Sequence, residues 1–127
     1  MQAWINSDDS KNVAALVATL EKAAKENASK RLKAFVVFIN PAKESAEIME
    51  KRLAKLATSE KVEIVALTYL PGPSDEAVSA YRINTDPKVK NTIFVYKNRT
   101  VDTKFVNFTA DAKGLQELHS AIKKILQ

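Results

Sequence analysis

The sequence predicts an α/β fold, on three observations. Residues 34–39 (AFVVFI) form an unbroken apolar run, and residues 62–69 (VEIVALTY) are nearly as apolar. A strand with one face in water alternates, so runs of this kind signal strands covered on both faces. Amphipathic helical spacing surrounds both runs. Residues 92–96 and 103–108 flank Lys97, Asn98 and Arg99 and read as a hairpin. Apolar strands alternating with helices imply helices layered on a mixed sheet of four to five strands. The two apolar runs are expected at its centre, and the more polar hairpin at an edge.

Taken in order, Ala3, Trp4 and Ile5 suggest a short first strand. Asn6, Ser7, Asp8, Asp9 and Ser10 then offer N-caps and negative charge where a helix start favours both. Val13, Leu16, Val17, Leu20 and Ala24 follow at helical spacing, to about residue 28. Residues 29–33 are a basic connection to the first apolar run. Asn40 and Pro41 stop that run, and proline suits the first turn of a helix because its missing N–H has no partner there. Ala46, Met49, Leu53 and Leu56 then repeat at helical spacing. Phe38 and Leu53 are expected in the core.

After the second run, Leu70-Pro71-Gly72-Pro73-Ser74 is the sharpest break in the chain. Asp75 and Glu76 open a short helix through Ala77, Val78, Ala80 and Tyr81. Residues 84–90 are a polar loop containing Pro87. Asn98 can take the left-handed backbone of a tight hairpin, where arginine after it is less favourable than glycine. The last helix starts near Asp111, with Leu115, Leu118, Ile122 and Ile125 as its stripe. The order is (β)αβαβαββα, and no repeat or linker divides residues 1–127, so one domain is expected.

Composition narrows the chemistry. There is no cysteine, which removes disulfides, thiolate catalysis and zinc–thiolate or iron–sulfur sites. One histidine, His119, rules out a multi-histidine metal site; it is out of register with the last helix's stripe and reads as a surface residue. The net charge of +5 permits acidic partners, yet the lysines are spread along the chain and read as a solvated surface. Tyr96 beside Lys97 and Arg99 could stack on single-stranded nucleic acid; strand position explains Tyr96 more simply, so nucleic acid is not the expected partner. No apolar run approaches the ~18 residues of a membrane span, and no secretory leader stands at the start, which leaves a removed leader open. A soluble protein is expected. Residues 27–29, 98–100 and 107–109 match the short N-glycosylation pattern, which matters only in a secreted eukaryotic protein. Phosphate-loop, dinucleotide and zinc-protease motifs are missing. No cofactor and no metal is expected.

Several stretches resemble the thioredoxin-like superfamily. Tyr81-Arg82-Ile83 is similar to the Tyr-Gly-Ile before that family's cis-proline loop. Thr92-Ile93-Phe94-Val95-Tyr96-Lys97-Asn98 resembles the Thr-Leu-Leu-Leu-Phe-Lys-Asn strand after it. Ala112-Lys113-Gly114-Leu115 resembles the opening of the family's final helix. Val36, Val37, Phe38 and Ile39 sit where the family's central strand leads into its active-site turn. The resemblance spans nearly the whole chain and implies a thioredoxin-like fold, a mixed sheet flanked by four helices. The family's Cys-x-x-Cys would then fall within residues 40–45, where no cysteine exists. Its cis-proline would fall at Asn91, or at Pro87 with an insertion after it. A cis bond at a non-proline residue costs about 3 kcal/mol, so Asn91 is expected to be trans.

The resemblance implies a non-catalytic module that binds a protein or peptide without thiol chemistry. The alternative is an enzyme that uses the same cleft without thiols, of the glutathione-handling type, for which Ser45 is the available hydroxyl. No catalytic residue is assigned. By the resemblance, a partner meets the end of the sheet built from Asn40, Pro41, Ala42, Lys43 and Ser45, from Leu70 and Pro71, and from Asn91 and Thr92. For residues 40–45 taken alone, an ordinary helix start is the preferred explanation, because almost every helix offers the same exposed N–H groups. The expected ligand is an extended acidic or amphipathic peptide, pairing with the backbone of Asn91 and Thr92 in β-strand fashion.

Overall fold

A computed structural model describes all residues, 1–127. In chain order the elements are β1 (Gln2–Ile5), α1 (Ser10–Glu26), β2 (Phe35–Phe38), α2 (Ala46–Ser59), β3 (Ala66–Tyr69), α3 (Glu76–Ala80), β4 (Asn91–Lys97), β5 (Thr100–Val106) and α4 (Ala112–Ile125). A 3-10 turn, Ala28–Lys30, follows α1. Each helix begins where a short polar side chain can accept from the exposed N–H groups of the first turn. Asp9 caps α1, Ser45 caps α2, Asp75 caps α3 and Asp111 caps α4. Gly114 in the first turn of α4 lies so close to the Thr109 carbonyl that a Cβ would collide with it.

The five strands form one sheet in the order β3-β2-β1-β4-β5. β1 is parallel to β2 and antiparallel to β4, β2 is parallel to β3, and β4 is antiparallel to β5. The hairpin lies at one edge, as expected. Asn98 and Arg99 both take positive φ, 52° and 65°, so the arginine adopts the left-handed backbone as well. β5 starts at Thr100, earlier than its apolar residues suggest, and Phe108 is buried beyond its end.

The centre of the sheet differs from the expectation. β1 is the central strand, with Ala3, Trp4 and Ile5 each 3% exposed or less, and β3 is the other edge. Residues 62–65 do not belong to β3. The N–H groups of Ile64 and Val65 donate to the Glu21 carboxylate instead (2.9 Å each to Oε1), while Val65 turns into the core and Ile64 points outward. The apolar character of residues 62–69 thus combines a packed approach segment with a short strand whose residues alternate between exposed and half-buried.

The two faces of the sheet are unequally covered. On one face Ala3, Ile5, Val36, Ile93 and Val95 pack against Val13, Leu16, Val17 and Leu20 of α1 and Leu118, Ala121, Ile122 and Ile125 of α4, with Leu56 of α2 alongside. On the other, Trp4, Val37 and Ile39 pack against Val78 of α3 and Ile83. Leu53 is buried as expected; Phe38 is only half-buried, because it borders a cleft.

Glu21 is a carboxylate in the core side of α1, 4% exposed. Burial alone would raise its pKa. The backbone N–H groups of Val65, Ile64 and Glu63, with the Lys25 ammonium, outweigh burial and hold it below the usual glutamate range. A depressed carboxyl stabilises the fold above its unfolded pKa, and that contribution disappears as the pH falls through the folded value. Glu21→Gln is therefore expected to cost about 1–3 kcal/mol near neutral pH, since the amide cannot accept both N–H groups as well. The cost should shrink in acid, which urea titrations at stepped pH below the usual glutamate range would show.

Candidate functional site

The turn that follows the central strand is residues 6–9, because β1 rather than β2 occupies the centre. It meets the loop before β4, and hydrogen bonds close the space between them. Asn6 N donates to the Lys90 carbonyl (2.9 Å), and Asn6 Nδ2 donates to the carbonyls of Asp86 (3.0 Å) and Val89 (2.9 Å). Ser7 Oγ donates to the Pro87 carbonyl (2.7 Å), and Asn91 Nδ2 to Asp8 Oδ2 (2.8 Å). All peptide bonds of the chain are trans.

Asn91 and Thr92 are buried, 0% and 3% exposed. β4 is an interior strand, with Thr92 opposite Trp4 on one side and Val106 on the other. The Asn91 carbonyl already accepts from Asn107 N (3.0 Å). Pairing of a peptide strand with these two residues, expected from the resemblance, has no free backbone edge to use. Their role is internal: the Asn91 side chain also accepts from Phe108 N (2.8 Å) and donates to the Phe108 carbonyl (3.0 Å).

The other candidate residues gather at the ends of β2 and β3. Asn40 holds a left-handed turn at φ 63°. Its side chain donates to the carbonyls of Glu44 (3.0 Å) and Pro71 (3.3 Å) and accepts from Glu44 N (2.9 Å), tying residues 40–45 to residues 70–74. Pro41, Ala42, Lys43, Ser45 and Pro71 are exposed, and Leu70 is half-buried against the α3 cluster. The Lys43 stem lies against Gly72. Ser45 Oγ accepts from Ile48 N (3.4 Å) as the cap of α2.

Beside this turn a cleft of about 580 Å³ opens between the first turns of α1 and the length of α2. Ile5, Val13, Phe38, Met49 and Leu56 give it apolar walls. Asn40, Pro41 and Ala42 border it, whereas Lys43, Ser45, Leu70, Pro71, Asn91 and Thr92 do not. Its polar lining includes Asn6, Asp8, Glu44, Arg52 and Lys55. Arg52 grips Glu44 with two bonds of 2.8 Å, a planar fork on a carboxylate. Lys55 has no ion pair. Asn6 is 7% exposed and its Oδ1 has no hydrogen-bond partner. The two carbonyls that receive Nδ2 settle which end of that amide is oxygen.

Sequence reasoning missed the α1 side of this cleft. The polar cluster of residues 6–10 marked a helix start, but nothing local indicates that Asn6 and Asp8 face the turn after β2. No three acidic or histidine side chains converge as a metal site, and His119 is exposed on α4.

No protein-family model matches the sequence, and no curated protein matches it. Among solved structures, a chain described as the thiol:disulfide interchange protein DsbE from Chlorobium tepidum aligns with a TM-score of 0.68 at 14% identity, over 99% of this chain and 78% of that one. At that identity the likeness concerns the fold. This chain has a thioredoxin-like fold, a mixed five-stranded sheet with four helices, and it contains no cysteine. No helix is long and apolar enough to cross a membrane.

Proposed function

We propose that this thioredoxin-like chain is a binding module without thiol redox chemistry, and that it takes an extended amphipathic peptide in the cleft between α1 and α2. Disulfide exchange needs an attacking thiolate, and the chain has none. The observation that carries the reading is the cleft itself, apolar inside and polar at its border, beyond the carboxyl ends of the parallel strands β1 and β2. Open α/β sheets collect ligands at that end. An extended peptide supplies what the walls lack: an apolar side chain for Phe38, Met49 and Leu56, and a carboxylate for Lys55. In this reading Lys43, Ser45, Leu70 and Pro71 meet the peptide where it leaves the cleft, and Asn91 acts from beneath by holding Asp8.

A titration of the isotope-labelled chain with capped hexapeptides alternating leucine and glutamate, followed by amide chemical shifts, tests this. Shifts are expected at Ile5, Ala42 and Leu56. Ala14→Trp, which fills the cleft from α1, should weaken binding by about tenfold or more, about 1.4 kcal/mol. Shifts confined to α4 or the hairpin would remove the cleft from consideration. Reduced glutathione moving the same amides at lower concentration than the peptides would favour a thiol-free enzyme of the glutathione-handling type instead.

A further inference from the structure

The charges that line the cleft between α1 and α2 are unequally matched. Glu44 and Arg52 compensate each other through their two bonds of 2.8 Å. Asp8 and Lys55 remain, opposite in sign, and neither has an ion-pair partner. They do not reach each other: Asp8 lies in the turn before α1, and Lys55 stands on α2, across the cleft. Asp8 is half-buried and held in place. Its Oδ2 accepts from Asn12 Nδ2 (2.9 Å) and Asn91 Nδ2 (2.8 Å), and its Oδ1 accepts from Asp9 N (2.9 Å). These donors are all neutral, so they fix the geometry of the carboxylate without cancelling its charge. A carboxylate offers about four lone-pair sites, which leaves one on Oδ1. Asn6 Oδ1, in the same turn, has no donor and adds uncompensated partial negative charge. The positive end of α1 answers part of this field, but the side chain that caps it is Asp9.

We propose that Asp8 and Lys55 select the charge pattern of the peptide in the cleft. Asp8 takes a lysine ammonium or an arginine guanidinium, Lys55 takes a carboxylate, and the apolar side chains between them lie over Phe38, Met49 and Leu56. This rests on the reading of the cleft as a peptide site, and it narrows the ligand to a peptide with a cation at one end and an anion at the other. Exposed ion pairs gain little because two mobile side chains must be held in one geometry. Asp8 is already held, and its half-buried position screens it less than open water does. A peptide acidic at both ends brings a second carboxylate against Asp8. A peptide basic at both ends brings an ammonium against Lys55. A bound calcium ion fits less well: it takes about six to eight oxygen ligands, and no three acidic or histidine side chains converge here.

The test uses capped hexapeptides with the same leucines, carrying glutamate at both ends, lysine at both ends, or one of each in either order. Dissociation constants are read from the amide shifts of Ile5, Ala42 and Leu56 in the labelled chain. One of the mixed peptides should bind about tenfold more tightly than either peptide of single sign. In Asp8→Asn its advantage over the glutamate peptide should fall to about twofold or less, and in Lys55→Gln its advantage over the lysine peptide should do the same. A general loss of stability leaves such ratios unchanged. Should Asp8→Asn fail to fold, a nitroxide on the lysine end of the tighter mixed peptide decides the matter on the native chain. It should broaden the amides of Ser10 and Asn12 and spare Ser59; broadening at Ser59 instead overturns the proposal. If the peptides all shift the cleft amides and bind alike, or if Asp8→Asn keeps the native ratio, the proposal falls while the cleft stands as a peptide site. If none of them shifts the cleft, both readings fall.

Discussion

Trp4→Ala is expected to lower stability by about 3–5 kcal/mol, the usual cost of deleting a buried aromatic ring. Trp4 is 2% exposed on the central strand and joins both halves of the α3 side of the sheet. Its ring packs in the cluster with Val37, Ile39, Val78 and Ile83 and lies 5.2 Å, tilted by 43°, from Tyr81. Its Nε1 donates to Gln2 Oε1 at 3.2 Å, so the polar edge is satisfied and the remainder is apolar contact. The cavity left by alanine has little means of collapse, because β1 is pinned by β2 and β4 on either side. Urea unfolding followed by far-ultraviolet circular dichroism would measure the loss, since the variant has no tryptophan to report it. A loss below about 1 kcal/mol would mean a surface residue and would contradict the central position of β1.

Asn91→Ala should cost about 2–4 kcal/mol, through polar groups rather than lost apolar area. The Asn91 side chain spends both ends on distant partners: it accepts from Phe108 N and donates to the Phe108 carbonyl and to Asp8 Oδ2. Alanine leaves Phe108 N–H without that acceptor in a buried place. The Phe108 carbonyl and Asp8 Oδ2 keep a donor in Asn12 Nδ2, so the loss is limited by that second amide. Combining Asn91→Ala with Asn12→Ala should therefore exceed the sum of the single losses, since each amide substitutes for the other at two acceptors. Additive losses, measured by chemical denaturation of the three variants, would show that the two side chains act separately.

Local signals carried most of the elements. The spacing of Val13, Leu16, Val17 and Leu20, of Met49 and Leu53, and of Leu118, Ile122 and Ile125 placed α1, α2 and α4 with the correct inward faces. The caps Asp9 and Asp111 lie within three residues of the N–H groups they receive, so they too are local; α2 instead starts at Ala46 behind the cap Ser45, and Pro41, expected in its first turn, lies in the turn before it. The hairpin followed from Asn98 between two apolar strands. The turn at residues 40–45 was legible because a proline interrupts an apolar run.

The class of fold, the order of its elements and the absence of thiol chemistry were readable from the residues, since each rests on periodicity, capping or composition. The order of the strands and the composition of the cleft came from packing between distant segments. An apolar run reports that a segment is buried, not which segments flank it, so residues 62–65 passed for strand when their N–H groups belong to Glu21. Around β1 the apolar run is Ala3, Trp4 and Ile5, between Gln2 and Asn6, shorter than the six-residue run of residues 34–39 and too short to announce a central strand. Asn6 and Ser7 meet the loop before β4 through bonds that span 80 or more residues of chain, and Asn6 also borders the cleft beside residues 40–42. Such contacts depend on which strands lie side by side, and that order is set by the packing of α1 and α4 on one face and α3 on the other.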